Sequence, residues 1–200
     1  MKKITFVLLL GVLLIAGIFG QQIRASSLEG RWVWDNKGDY PPEFTELVFF
    51  GNIILLAEED YPDEYFGMHF TYTAAQLSFS EYYYDYEWEY RLSGNTLLIT
   101  DEFDDHFTYT RAAIGRSPIQ GIWQLTGGTF YDPHDEPQYF VFVGDVLAIG
   151  EEEGYEAARV EYRGTTILYD GELFLEYRLS GSTIFLIDED GDEYTCRKIY

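Results

Sequence analysis

The chain has 200 residues, of which 46% are hydrophobic and 18% aromatic, and it carries 35 acids against 13 Lys and Arg, a formal net charge of -22. A surface this acidic repels a phosphate backbone and an anionic headgroup layer, which argues against nucleic acid and against a membrane surface as partners. Cys196 is the single cysteine, so no intramolecular disulfide can form and the fold has to hold by packing.

Met1, Lys2 and Lys3 make a short basic start, followed by an apolar run over 4–19 and then Gly20. That layout predicts a secretory signal peptide over 1–20, cut after Gly20 or alternatively after Ala25. An uncleaved anchor is the other reading, although a membrane span usually needs about twenty residues. The leader has no cysteine to carry a lipid. Its compact layout suits a bacterial exported protein, placed in the periplasm, on the cell surface or outside the cell. Residues 21–27 are polar and read as a lead-in.

The remainder reads as an internal repeat. Residues 89–111 (EYRLSGNTLLITDEFDDHFTYTR) and 176–198 (EYRLSGSTIFLIDEDGDEYTCRK) align without a gap and agree at 11 of 23 positions. Each copy shows an alternating strand, a Ser-Gly turn, an apolar strand, an acidic turn and a closing strand, the pattern of consecutive β-hairpins. A Gly-x-Trp entrance is repeated as well, at Gly30 and Trp32 and again at Gly121 and Trp123. The predicted units are therefore 28–111 and 119–200, joined by a linker at 112–118 (AAIGRSP).

In the first unit strands are expected at 30–35, 44–50, 53–57, 66–73, 76–80, 84–92, 96–100 and 106–111. In the second they are expected at 121–125, 138–143, 146–150, 155–163, 165–169, 173–179, 183–187 and 193–198. The clearest is 84–92, where Tyr84, Tyr86, Trp88, Tyr90 and Leu92 alternate with Asp85, Glu87, Glu89 and Arg91. If the strands run up and down, one end of each unit has tight turns such as Gly51-Asn52 and Gly144-Asp145. The other end collects longer acidic connections, including Glu58-Glu59-Asp60, Glu151-Glu152-Glu153, 101–105 and 188–192. Function is expected at that second end, because loops on a rigid scaffold carry it.

The Gly-x-Trp opening, the aromatic strands ending at Gly51 and Gly144 and the closing Tyr-x-Leu-Ser-Gly-x-Thr hairpins resemble the small lipocalin-like domains of bacterial exported proteins. The resemblance implies an all-β fold of two tandem antiparallel up-and-down barrels or clams, each of about eight short strands. The units have about half the length of a full lipocalin. An alternative is that both halves close one larger sheet. The resemblance carries no catalytic residue.

Trp32 and Trp123 read either as ligand-stacking rings or as core plugs, and their duplication favours the core. The run from Asp188 to Glu193 resembles a fragment of a calcium loop, and its counterpart Asp101 to Asp105 keeps the acids without the glycine. A solvated hairpin tip is the plainer reading, with loose divalent-cation binding by the pooled acidic loops as the sharper one. His69, His106 and His134 lack metal-ligand spacing, Cys196 reads as a small buried thiol, and the run Tyr82-Tyr83-Tyr84 offers rings to a sugar, a peptide or a partner. No catalytic, cofactor-binding or metal residue is assigned and no cofactor is implied. An outer-membrane barrel needs strands of about nine to eleven residues, longer than most of these. The expected function is a non-enzymatic binding or interaction module for an unknown small molecule or protein. A carbohydrate-active hydrolase using paired carboxylates and a structural spacer are the alternatives.

Overall fold

The computed structural model describes residues 27–36, 41–81, 84–129, 131–151 and 154–200. The expected leader at 1–20, most of the lead-in, Tyr82, Tyr83, Glu152 and Glu153 lie outside the described residues. Strands make up the rest of the architecture: β1 Gly30–Trp34, β2 Phe44–Phe50, β3 Ile53–Glu58, β4 Glu64–Tyr72, β5 Gln76–Glu81, β6 Tyr84–Ser93, β7 Thr96–Thr100 and β8 His106–Ala112. They continue as β9 Gly121–Gly128, β10 Tyr139–Val143, β11 Val146–Glu151, β12 Gly154–Arg159, β13 Glu161–Arg163, β14 Thr166–Tyr169, β15 Glu172–Ser180, β16 Thr183–Asp188 and β17 Glu193–Lys198.

The first eight strands form a closed antiparallel barrel. Each pairs with the next in sequence, and β8 returns to β1 with Trp32 opposite Arg111. Closure removes the free edges that an open sheet would present to other chains. Alternation decides what goes inside. Trp32, Phe49, Phe70, Phe79, Trp88 and Tyr109 point into one core with Leu47, Ile54, Leu77, Leu97 and Ile99. Their rings meet edge-on or stacked, as in Phe49 on Phe70 at 5.4 Å and Phe79 on Trp88 at 4.7 Å.

Nine further strands follow. β9 pairs with β10, β10 with β11, β11 with β12, β13 through β17 in order, and β17 returns to β9. The repeated segments take the same register: Arg91 faces Leu98 where Arg178 faces Phe185, and Trp123 faces Lys198 as Trp32 faces Arg111. A separate core gathers Trp123, Phe140, Phe142, Ile167, Ile184 and Cys196.

Two expectations need correction. Residues 155–163 do not form one strand, because the ladder is interrupted at Val160, which is buried and donates its N–H to Asp145 O at 2.8 Å. On the near side of this break β12 lies against β4, with Tyr155 opposite Gly67 and Ala157 opposite Tyr65. The strand expected at 121–125 is longer, since β9 runs on to Gly128. There the backbone has φ 137° and a side chain would strike Glu193 O, so glycine lets β17 close in.

β2 and β3 are buried on both faces. Val48, Phe50, Ile53, Leu55 and Tyr65 point away from the barrel and pack on Ile122, Val141, Val146, Ala148 and Tyr155 as one cluster. Each fully buried side chain of this kind contributes about 1.5–3 kcal/mol, so this joint is a core in its own right. The segment expected as a linker is docked too: Ile114 packs against this cluster and Ser117 is buried.

Candidate functional site

The barrel interior leaves little room. Trp32 and Leu97 are wholly buried, and the core from Phe44 to Tyr109 is continuous. Trp32 and Trp123 are both core residues. Their indole N–H groups donate to Leu28 O at 2.7 Å and to Ile119 O at 2.9 Å. Arg111 lies 4.2 Å over the ring of Trp32, and Lys198 lies 5.4 Å over that of Trp123.

One concave feature lies at the end of the barrel where the long connections meet, and another, of about 190 Å³, lies on β15–β17 around Tyr177, Phe185 and Tyr194. The first is a cleft of about 50 Å³, lined by Pro42 and Glu43 before β2, by Tyr86 and Trp88 on β6, by Phe103 in the β7–β8 turn and by Phe107 on β8. Phe44, Ile99 and Tyr109 form its floor, each about 1% exposed. Tyr86 is held by stacking on Phe79 at 4.8 Å and by edge contact with Phe44 at 6.1 Å. Tyr109 donates its hydroxyl to Phe44 O at 2.7 Å, which ties β8 to the start of β2. Phe103 stands at the lip, 77% exposed.

The acidic turn beside this cleft is built from its own backbone. Asp101 accepts at Oδ1 from the N–H groups of Phe103 and Asp105, each at 2.9 Å, and Asp104 sits at φ 64°. At the matching tip, Asp188 accepts at Oδ1 from Asp190 and Asp192, with Gly191 at φ 87°. Asp188 also accepts from the Tyr194 hydroxyl at 2.9 Å. Partial desolvation would raise the Asp188 carboxyl, but the bonds from Asp192, Tyr194, Asp190 and Gly191 outweigh it and hold it below its usual value. Among the described residues no three His, Cys, Asp or Glu side chains converge in a way that could hold a metal ion.

A second polar cluster, which the sequence reading missed, lies at the joint. Glu46 is 6% exposed and accepts from Arg31 Nη2 at 2.6 Å, Arg159 Nη2 at 2.7 Å and the Tyr65 hydroxyl at 2.5 Å. Arg159 also reaches Asp63 at 3.1 Å. Burial opposes the Arg31 charge, yet the hydrogen bond and attraction of Glu46 raise its pKa. Burial, then the Glu46 bond, pushes the Tyr65 phenol well above its usual value. This carboxylate is fully engaged by two cations and a phenol, and it cross-braces β1, β2, β4 and β12.

The other flagged residues stay apart. His69 contacts Asn52 and Tyr155 near the joint, His106 bonds Thr100, and His134 is exposed in the connection after β9, where its backbone N–H donates to Asp132. Cys196 is buried, and burial pushes its thiol up to about 12. Glu58, Glu59 and Asp60 are exposed at the β3–β4 connection. Open grooves of about 180 Å³ under residues 131–138 and of about 320 Å³ between Tyr61 and Tyr169 are walled mainly by exposed loop residues. Comparison of the chain with protein-family models, with curated proteins and with solved structures finds no match.

Proposed function

We propose that this is an exported, non-enzymatic binding or interaction protein, built from two lipocalin-like units at 28–111 and 119–200, that works through the rim of its barrel. The observation carrying this reading is the filled interior, together with an aromatic cleft at the loop-bearing end whose floor is the barrel core. A binding site that is preformed and mostly apolar with a few polar groups at its edge is the usual form of a recognition site.

Duplication is supported by three local matches: the Trp–cation contacts at Trp32 and Trp123, the aspartate-centred tips at Asp101 and Asp188, and the β4–β12 pairing. In that pairing Tyr65 meets Ala157 while Gly67 meets Tyr155, the reciprocity of a two-fold contact between related surfaces. Residues 1–20 would direct export and leave 21–200 as the working protein.

The test is a nuclear magnetic resonance titration of the protein with a chemically mixed panel of sugars, short peptides, organic ions and fatty acids. Saturable shifts confined to residues 42–44, 86–88 and 101–107 are expected, with every probe recovered unchanged. Shifts centred on Trp32, Phe49 and Leu97, or conversion of a probe into product, would overturn the reading.

A further inference from the structure

We infer that the rim cleft of β1–β8 recognises an alkylammonium or guanidinium group, such as the end of a Lys or Arg side chain presented by a peptide. The inference rests on the reading that the rim is the working surface, and it adds the chemistry of what sits there. Size comes first: about 50 Å³ accommodates the end of one side chain, not a sugar ring or an acyl chain.

The walls come second. Tyr86, Trp88, Phe103 and Phe107 supply aromatic surface, and a cation over such a ring is attracted by its negative face. Three carboxylates, Glu43, Asp101 and Glu102, stand among the lining residues, and among the described residues none that lines the cleft is a base. The shape therefore fits a group that is apolar on its stem and positive at its end, which buries methylenes against rings while the charge faces carboxylates.

The whole-chain charge of -22 would steer such a partner in and slow an anionic one. An acidic turn alone would not favour a ligand, since Asp101 already satisfies its own backbone. Here the rings supply the second half of the recognition, and two of them, Tyr86 and Trp88, are held in place by Phe44 and Phe79.

The experiment titrates the full chain with a short lysyl peptide, its arginyl form, the same peptide acetylated on the lysine, and tetramethylammonium, reading the Trp88 indole resonance. Lysyl or arginyl peptides should bind saturably, and acetylation should weaken binding about tenfold or more. The double variant Glu43→Gln, Glu102→Gln and the variant Phe103→Ala should each weaken the lysyl peptide by about tenfold while the amide spectrum stays folded. Tetramethylammonium binding as tightly as the peptides identifies a free organic cation as the source, and much weaker binding identifies a polypeptide. Equal binding of the acetylated and free lysyl peptides, or peptide binding unaffected by the carboxamide pair, overturns the inference. If neutral sugars or anions shift the rim while cations do not, the rim reading survives and the cation assignment falls. If no probe shifts the rim, both fall.

Discussion

Replacing Glu46 by alanine should loosen the joint more than any other single polar change. The carboxylate accepts three bonds of 2.5 to 2.7 Å from Arg31, Arg159 and Tyr65. Removing one member of a buried charged pair costs about 3–5 kcal/mol, because the partners keep their charge and lose its counterpart. The Arg31 and Arg159 side chains are 16% and 29% exposed, so water recovers part of that loss. The expected cost is therefore at the lower end, about 3 kcal/mol, which for a chain of this size lowers Tm by about 6–12 °C. Glu46→Gln, which keeps the shape and one acceptor, should cost about half as much. Urea unfolding followed by tryptophan fluorescence measures the loss, and a cycle with Arg159→Met measures the coupling. A Glu46→Ala protein within about 0.5 kcal/mol of the parent, or a coupling near zero, would refute the reasoning.

Gly67→Val should open the β4–β12 pairing, since a side chain there collides with Leu55 and presses on Tyr155. The expected cost is about 1–3 kcal/mol, with faster hydrogen exchange at the Arg159 amide, which bonds Asp63 O in the parent. Alkaline pH should destabilise the protein. Burial and hydrogen bonding to Asp188 raise Tyr194 to about 12, burial raises Tyr162 to about 12, and the Glu29 bond with burial raises Tyr200 to about 12. An unfolded phenol titrates near 10, so these residues support the fold fully below about pH 10 and lose that contribution as pH climbs towards 12. Phenolate absorbance followed together with circular dichroism checks this; ionisation of all tyrosines near pH 10 with no loss of structure would contradict it. Cys196 should resist a thiol reagent at pH 8 in the native protein and react once urea unfolds it, because burial both hides the thiol and keeps it protonated.

Alternation made the barrel strands legible. The residues of β6 that alternate in sequence, Trp88 and Tyr90 against Glu87 and Glu89, are buried and exposed in turn, and the all-β expectation with its closed antiparallel barrel holds for β1–β8. The Gly-x-Trp entrance and the aspartate tips were legible because each is a local device whose partners lie within one hairpin or one barrel closure. The joint was readable in part and was passed over. LVFF in β2 and IILLA in β3 do not alternate, and such runs signal burial on both faces. Which surface covers the outer face could not be read, because the partners Val141, Val146 and Tyr155 lie about ninety residues away. The same distance hid the Glu46 network: Arg159 reaches it from 113 positions along the chain, and nothing local marks Glu46 as different from its exposed neighbours in composition. The break at Val160 goes with partners far along the chain, Asp145 for its N–H and β4 for β12, so local propensity gave no sign of it. The acidic loops at 101–105 are legible in the sequence, whereas the cleft beside them and its aromatic lip at Phe103 depend on how β2, β6 and β8 come together.

The most direct test of a filled barrel that acts through its surface is a fluorescence titration of the full chain with a long-chain fatty acid, read from tryptophan quenching. With Trp32 wholly buried in the core and Phe79 packed on Trp88, the expected result is no saturable quenching. One-to-one saturable quenching, with the acyl chain displacing the core around Trp32 and Phe49, would contradict it.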